Sequence, residues 1–254
     1  MENAAPAATA NQQVVDNPYG PMQLWEQGGY FQRGILVTLL VMSFVSWYIM
    51  LTRLWDQSRL KKSAKIVEKQ FWTAPSIKDG VERLPKGDDF RLITEDGLRA
   101  TAHHDGRLTD RIDLNEWITM SLQRSVAQVN SRLQAGLSFL ASVGSTAPFI
   151  GLLGTVMGIL GALINIGVAG QADISKVAGP VGEALYMTAI GLIVAVPAVL
   201  GYNWLVRRNK VLQDQVGNFA SDLHAYLLSG ARVGQTEGGA SRPAAAAPAA
   251  AVRK

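Results

Sequence analysis

Three stretches without a single charged side chain govern what this chain can become. Arg33 and Arg53 enclose 19 such residues, Arg132 and Asp173 enclose 40, and Glu183 and Arg207 enclose 23. A helix crosses a hydrocarbon core roughly 30 Å thick with about 20 predominantly apolar residues, so each stretch is long enough to span. The fold class expected is therefore all-α, an integral membrane protein with three transmembrane helices at 34–52, 133–166 and 177–206. The average conceals this, because mean hydropathy is only +0.12 over 254 residues. The chain has no cysteine, which excludes a disulfide scaffold, a Cys-ligated metal and a cysteine nucleophile.

Basic flanks set the expected orientation. Arg33 is the only basic residue before the first span, against Glu2, Asp16 and Glu26, whereas Arg53, Arg59, Lys61, Lys62 and Lys65 follow it. Arg207, Arg208 and Lys210 follow the third span in the same way. Positive flanks stay in the cytoplasm, so residues 1–33 form an external, periplasmic tail and the C-terminus lies inside. That tail has neither a basic n-region nor an apolar run before Gly34, so it reads as retained and flexible rather than as a cleaved signal.

The topology makes 53–132 a cytoplasmic loop with 15 basic and 12 acidic residues and leaves a short periplasmic turn at 167–176. Asp113 and Glu116 have N-cap and N3 spacing, and Leu122, Val126, Val129, Leu133, Leu137 and Leu140 continue at helical period. One helix is expected to start near Asp113 and run through the second span. Past the third span Leu212, Val216, Phe219, Leu223 and Tyr226 repeat the period up to Ser229-Gly230, giving a cytoplasmic helix over 207–229. Such apolar seams persist only when packed on neighbours, so long cytoplasmic helical extensions should stand together. Short helices joined by turns fit 71–110, with Pro75, Gly80, Pro85, Gly87 and Gly97. The Ala/Pro-rich end, 230–254, reads as disordered.

Ala147, Gly151, Gly154, Gly158, Gly161 and Asn165 follow one another at steps of 4, 3, 4, 3 and 4, one stripe of small side chains on a helix. In lipid, where burial of apolar surface gives helices no reason to associate, such a stripe lets backbones approach closely. Pro148 and Pro197 lie inside the second and third spans, where proline kinks a helix and frees a carbonyl. Glu183 stands within apolar reach of the third span with no cation in its segment. A carboxylate there either faces a wet cavity or is held protonated, and both states suit a proton carrier. Structural pairing or a place near the interface are its bland alternatives. Thr155 and Thr188 add hydroxyls that both donate and accept, although threonine in a membrane helix commonly bonds its own i−4 carbonyl.

Other chemistry finds no footing. His103 and His104 are adjacent and His224 is distant, so no metal-ligand spacing exists, and neither a metal nor a cofactor is expected. Phosphate-binding loops, nucleophile elbows and HExxH patterns are missing from the sequence, which argues against an enzyme. The run RLKKSAKIVEK beside the first span suits topology setting and anionic lipid better than nucleic acid.

The strings GSTAPFIGLLGTVMGIL at 144–160 and VGEALYMTAIGLIVAVPAVLGYN at 181–203 resemble the second and third transmembrane helices of the ExbB/TolQ/MotA family of ion-driven motor proteins. Ser-Thr-Ala-Pro at 145–148 is similar to the ExbB branch, where TolQ-like proteins tend to have Ser-Ile-Ser-Pro. Met157 departs from the Trp common in relatives. The resemblance implies a proton channel of the bacterial inner membrane, in which ExbB-like subunits form a ring, usually a pentamer, around the single helices of ExbD-like partners. It further implies that the complex energises a TonB-like protein for outer-membrane uptake of iron siderophores, with Glu183, Thr155 and Thr188 matching the polar positions of the pore. A TolQ-like subunit of the Tol-Pal envelope machinery, a non-conducting membrane scaffold and a solute carrier are the alternatives.

Overall fold

The computed structural model describes residues 29–102, 113–169 and 174–230, all of whose regular structure is helical. Helix α1 covers Tyr30–Ile66 and passes into a single π-helical turn, Val67–Phe71. Helices α2 (Ile77–Glu82), α3 (Asp89–Ala102), α4 (Leu114–Gln134), α5 (Leu137–Ala169) and α6 (Ile174–Ser229) follow. Three helical stretches, Tyr30–Phe71, Leu114–Val168 and Gly179–Ser229, are long and apolar enough to cross a membrane. Most of the apolar window of each is not buried within the single chain. At 1.5 Å per residue the 56 residues of α6 extend about 84 Å, well beyond a bilayer. The tail at 1–28, His103 and His104, residues 170–173 of the turn expected at 167–176, and 231–254 lie outside the described residues.

The helix expected to run from Asp113 through the second span is in fact two. It starts as anticipated, with Trp117 N–H donating to the Asp113 carbonyl at 2.9 Å. It then breaks at Ala135–Gly136, where Gly136 adopts φ 79°. A Cβ at Gly136 would stand 2.9 Å from Ile49 Cγ2, so both the left-handed backbone and the neighbour call for glycine. Leu133, Leu137 and Leu140 keep their spacing across the break and are all buried, which is why the apolar period alone gave no sign of it.

The chain divides into two compact units. The first comprises residues up to Trp55 together with Gln134–Arg208. Its core is Ile35 and Leu39 of α1 with Leu140, Val143 and Ala147 of α5 and Met187, Val194 and Ala198 of α6. Ser46 of α1, buried in this unit, donates to the Met42 carbonyl at 2.7 Å and so carries no open polar group.

The second unit comprises Asp56–Leu133 and the chain from Asn209 onward. Phe71, Trp72, Phe90 and Phe219 pack with ring centroids 4.9–5.8 Å apart, within the range of favourable edge contacts. Asn209 and Gln57, both buried, form a polar link: Gln57 Nε2 donates to Asn209 Oδ1, and Asn209 Nδ2 donates to the Leu133 carbonyl, each at 2.6 Å. One of the last carbonyls of α4, which has no helical donor of its own, is thereby satisfied.

Asp88 precedes α3 as its N-cap, its carbonyl accepting from Leu92 N–H at 3.0 Å. Burial pushes its carboxyl above the ordinary carboxylate range, against the opposing pull of the Ser63 hydroxyl, the N–H groups of Phe90 and Asp89, and Arg59. A carboxyl raised in this way contributes its stability fully below its unfolded-state pKa and loses it as pH rises through the folded-state value. Asp88→Asn keeps a competent cap and removes the titration. Its melting temperature in detergent is expected to gain on the wild type as pH rises from acid to neutral, and parallel pH profiles would contradict this.

Candidate functional site

The site is built where α5 and α6 meet in the first unit. Gly151 and Gly191 bring the two backbones into contact. A Cβ on Gly151 would lie 2.7 Å from the Met187 carbonyl oxygen, and one on Gly191 would lie 2.7 Å from that of Ala147. Ala147 itself is fully buried. Further along the stripe, a Cβ on Gly154 would meet Met187 Cβ at 3.0 Å and Ile35 Cγ2 at 3.5 Å. On Gly158 it would meet Ala184 Cβ at 3.0 Å and Gln32 Nε2 at 3.1 Å. Gly161 faces open space. The stripe thus packs against α6 and, near Gly154 and Gly158, against the start of α1.

This closeness sets the threonines in contact. The Thr155 hydroxyl lies 2.9 Å from the Ala184 carbonyl and 3.3 Å from its own i−4 carbonyl at Gly151, and it also meets the Thr188 hydroxyl. A hydroxyl carries one proton. If Thr155 donates to Ala184 O, the Thr188 hydroxyl must donate to Thr155, giving a directed chain from α6 to α5 and back to α6. Donation to i−4 alone, the bland alternative, is the longer of the two carbonyl contacts.

Glu183 immediately precedes Ala184 and is 7% exposed. Among the described residues it has no hydrogen-bond or ion-pair partner, so its carboxyl belongs to a largely buried residue without a counter-charge. Such a group has two accessible states, a neutral one that tolerates the apolar surroundings and an ionised one that must find a donor. Pro148 and Pro197 are accommodated inside unbroken α5 and α6, where each removes the donor that its i−4 carbonyl, at Gly144 and Ile193, would use. Gly144 packs on the side chain of Val199.

Sequence reasoning passed over Gly191, whose place opposite Gly151 depends on how α6 is registered on α5. It also passed over the Ala184 carbonyl, which no side-chain pattern reveals. Among the described residues no cluster of three or more His, Asp or Glu is placed to hold a metal.

Comparison with known proteins shows the family of the chain. Residues 91–218 match the MotA/TolQ/ExbB proton channel family. The biopolymer transport protein ExbB of Xanthomonas campestris pv. campestris is 43% identical over 208 residues, covering 78% of this chain and 82% of that protein. ExbB of Neisseria meningitidis is 39% identical over 211 residues, covering 81% and 96%. The Tol-Pal system protein TolQ of Pseudomonas aeruginosa is 30% identical over 198 residues, covering 76% and 86%. With the match spanning the second and third long helices and their packed glycines, the chain belongs to the MotA/TolQ/ExbB proton channel family.

Proposed function

We propose that this chain is the proton-channel subunit of an inner-membrane motor that uses the proton motive force to energise TonB-dependent transport across the outer membrane. It assembles as a ring, a pentamer by the habit of its family, around an ExbD-like single-span partner and drives a TonB-like protein. The observation that carries the reading is Glu183, a buried carboxyl without a counter-charge, one residue from the carbonyl that Thr155 engages. In this reading Glu183 takes up and releases the proton, and Thr155 and Thr188 hold the water or hydroxyl proton beside it. The N-terminus is periplasmic and the C-terminus cytoplasmic, following the basic flanks.

The 43% identity to the Xanthomonas campestris ExbB, against 30% to the Pseudomonas aeruginosa TolQ, favours the TonB system over Tol-Pal. Complementation separates them. Expressed with its own ExbD-like partner in cells lacking both systems, the chain is expected to restore growth on ferric siderophores and not detergent resistance. Restored detergent resistance without iron uptake would assign it to Tol-Pal instead.

Thr155→Val tests the hydroxyl chain, since valine keeps the shape and removes the proton that reaches Ala184. Uptake is expected to fall less than for a loss of Glu183, because bound water replaces a hydroxyl but not a titrating group. Wild-type uptake rates in this variant would remove Thr155 from the pathway.

A further inference from the structure

Glu183 belongs to a stripe on α6 formed by Glu183, Met187, Ile190, Val194, Pro197, Gly201 and Leu205, spaced by 4, 3, 4, 3, 4 and 4 residues. This stripe faces α1. A Cβ on Gly201 would stand 2.6 Å from Met50 Sδ. Val194 and Pro197 line one small cavity with Ser43, Ser46 and Met50. Met187 and Ile35 both reach the surface of Gly154. The α1 residues so engaged, Ile35, Ser43, Ser46 and Met50, extend backward at helical spacing to Gln32, the first polar position of the same face.

The register follows from these contacts. Ile35 and Met187 meet on Gly154, and Met50 meets Gly201, pairs that differ by 152 and 151 in residue number, and the cavity that Ser43 and Ser46 share with Val194 and Pro197 lies between them. An offset of 151 sets Gln32 level with Glu183. The far side of the groove agrees: the one surface of Gly158 touches both Gln32 Nε2 and Ala184, the residue next to Glu183. Gln32 Oε1 is occupied, accepting from the Gly29 N–H at 2.7 Å. That bond turns the amide so that its oxygen is spoken for and its two N–H groups are not, and among the described residues they have no acceptor. Arg33, the next residue along, has its guanidinium over the Tyr30 ring, 6.0 Å from the centroid.

We propose that the Gln32 side-chain amide is the hydrogen-bond donor that receives the Glu183 carboxylate in its ionised state. Gln32 is thus a positioning residue for the proton-carrying group, supplied by the first helix rather than by the two that carry the family's matching strings. An amide suits this duty because it donates without titrating, so it stabilises the anion and still releases it on protonation. A fixed cation at the same place would trap the carboxyl in one state.

The inference rests on the proposed role of Glu183, and the test separates the two. In membranes containing the full complex, dicyclohexylcarbodiimide reacts with the protonated form of a buried carboxylic acid, and modification of Glu183 is read by mass spectrometry at one neutral pH. Gln32→Met keeps the length of the side chain and removes both N–H donors. A hydrogen bond to an ionised group is worth about tenfold or more in an equilibrium, so modification at Glu183 is expected to rise at least about threefold while siderophore uptake falls. Where Gln32→Met lowers the amount of complex, Gln32→Glu keeps the oxygen that Gly29 uses and serves as the second variant, with the same rise in labelling expected. Unchanged labelling in an assembled complex, with or without a loss of uptake, would overturn the inference. If instead Glu183→Gln retains uptake, the proposed role of Glu183 fails first.

Discussion

Cells whose only copy of this protein carries Glu183→Gln are expected to assemble the complex at wild-type level and to lose energised siderophore uptake altogether. Glutamine matches glutamate in size, so the buried position beside Ala184 remains filled and the α5–α6 contact is undisturbed. What disappears is the ability to alternate between charged and neutral forms. The driving force is ample, since one elementary charge crossing 100 mV releases about 2.3 kcal/mol. Only a group that binds and releases a proton within the apolar unit can couple to it. Glu183→Asp is expected to keep part of the activity if the shorter carboxyl still meets its donor. Growth of the Glu183→Gln strain on a ferric siderophore at the wild-type rate, with complex content checked by quantitative blotting, would leave a scaffold role standing.

The second large effect concerns folding. Gly151→Leu and Gly191→Leu are expected to deplete the protein from the membrane, because even the first carbon of the new side chain meets a carbonyl oxygen at 2.7 Å. Backbone atoms cannot step aside as a flexible side chain does. Overpacking costs about 1–3 kcal/mol and occasionally more, a large part of a typical domain's stability. Gly161→Leu is the internal control, since nothing lies within 4 Å of its Cβ position, and its yield and thermal stability in detergent are expected to stay near wild type. A normal yield of Gly151→Leu would show that α5 and α6 are not held together at this point.

The spans were legible because uncharged stretches of 19, 40 and 23 residues leave an aqueous fold no way to place them. The extensions were legible through their apolar period, and their buried residues Leu122, Val129, Leu212, Val216 and Leu223 follow it. The break at Gly136 was not, because a glycine between two leucines in register reads as a tolerated small residue until its φ is known. The stripe beginning at Ala147 announced close packing but not its partner. Gly191 lies on a small-residue stripe of its own, Ala184, Thr188, Gly191, Ala195 and Ala198 at steps of 4, 3, 4 and 3, but only the fold sets it on Gly151. Glu183 stood out as a carboxyl with no cation in its own segment. Gln32, by contrast, reads as an ordinary polar residue at the edge of a span, and its level with Glu183 depends on the register of α1 against α6, which local sequence does not encode.

Proton flux through the purified complex reconstituted with its single-span partner in liposomes tests the central claim most directly. Under an imposed pH gradient and membrane potential, with equal protein incorporated, the account predicts measurable inward acidification for the wild type. For Glu183→Gln it predicts flux no greater than that of protein-free liposomes. Equal flux from the two proteins would contradict it, because the proton would then be crossing without the carboxyl at Glu183.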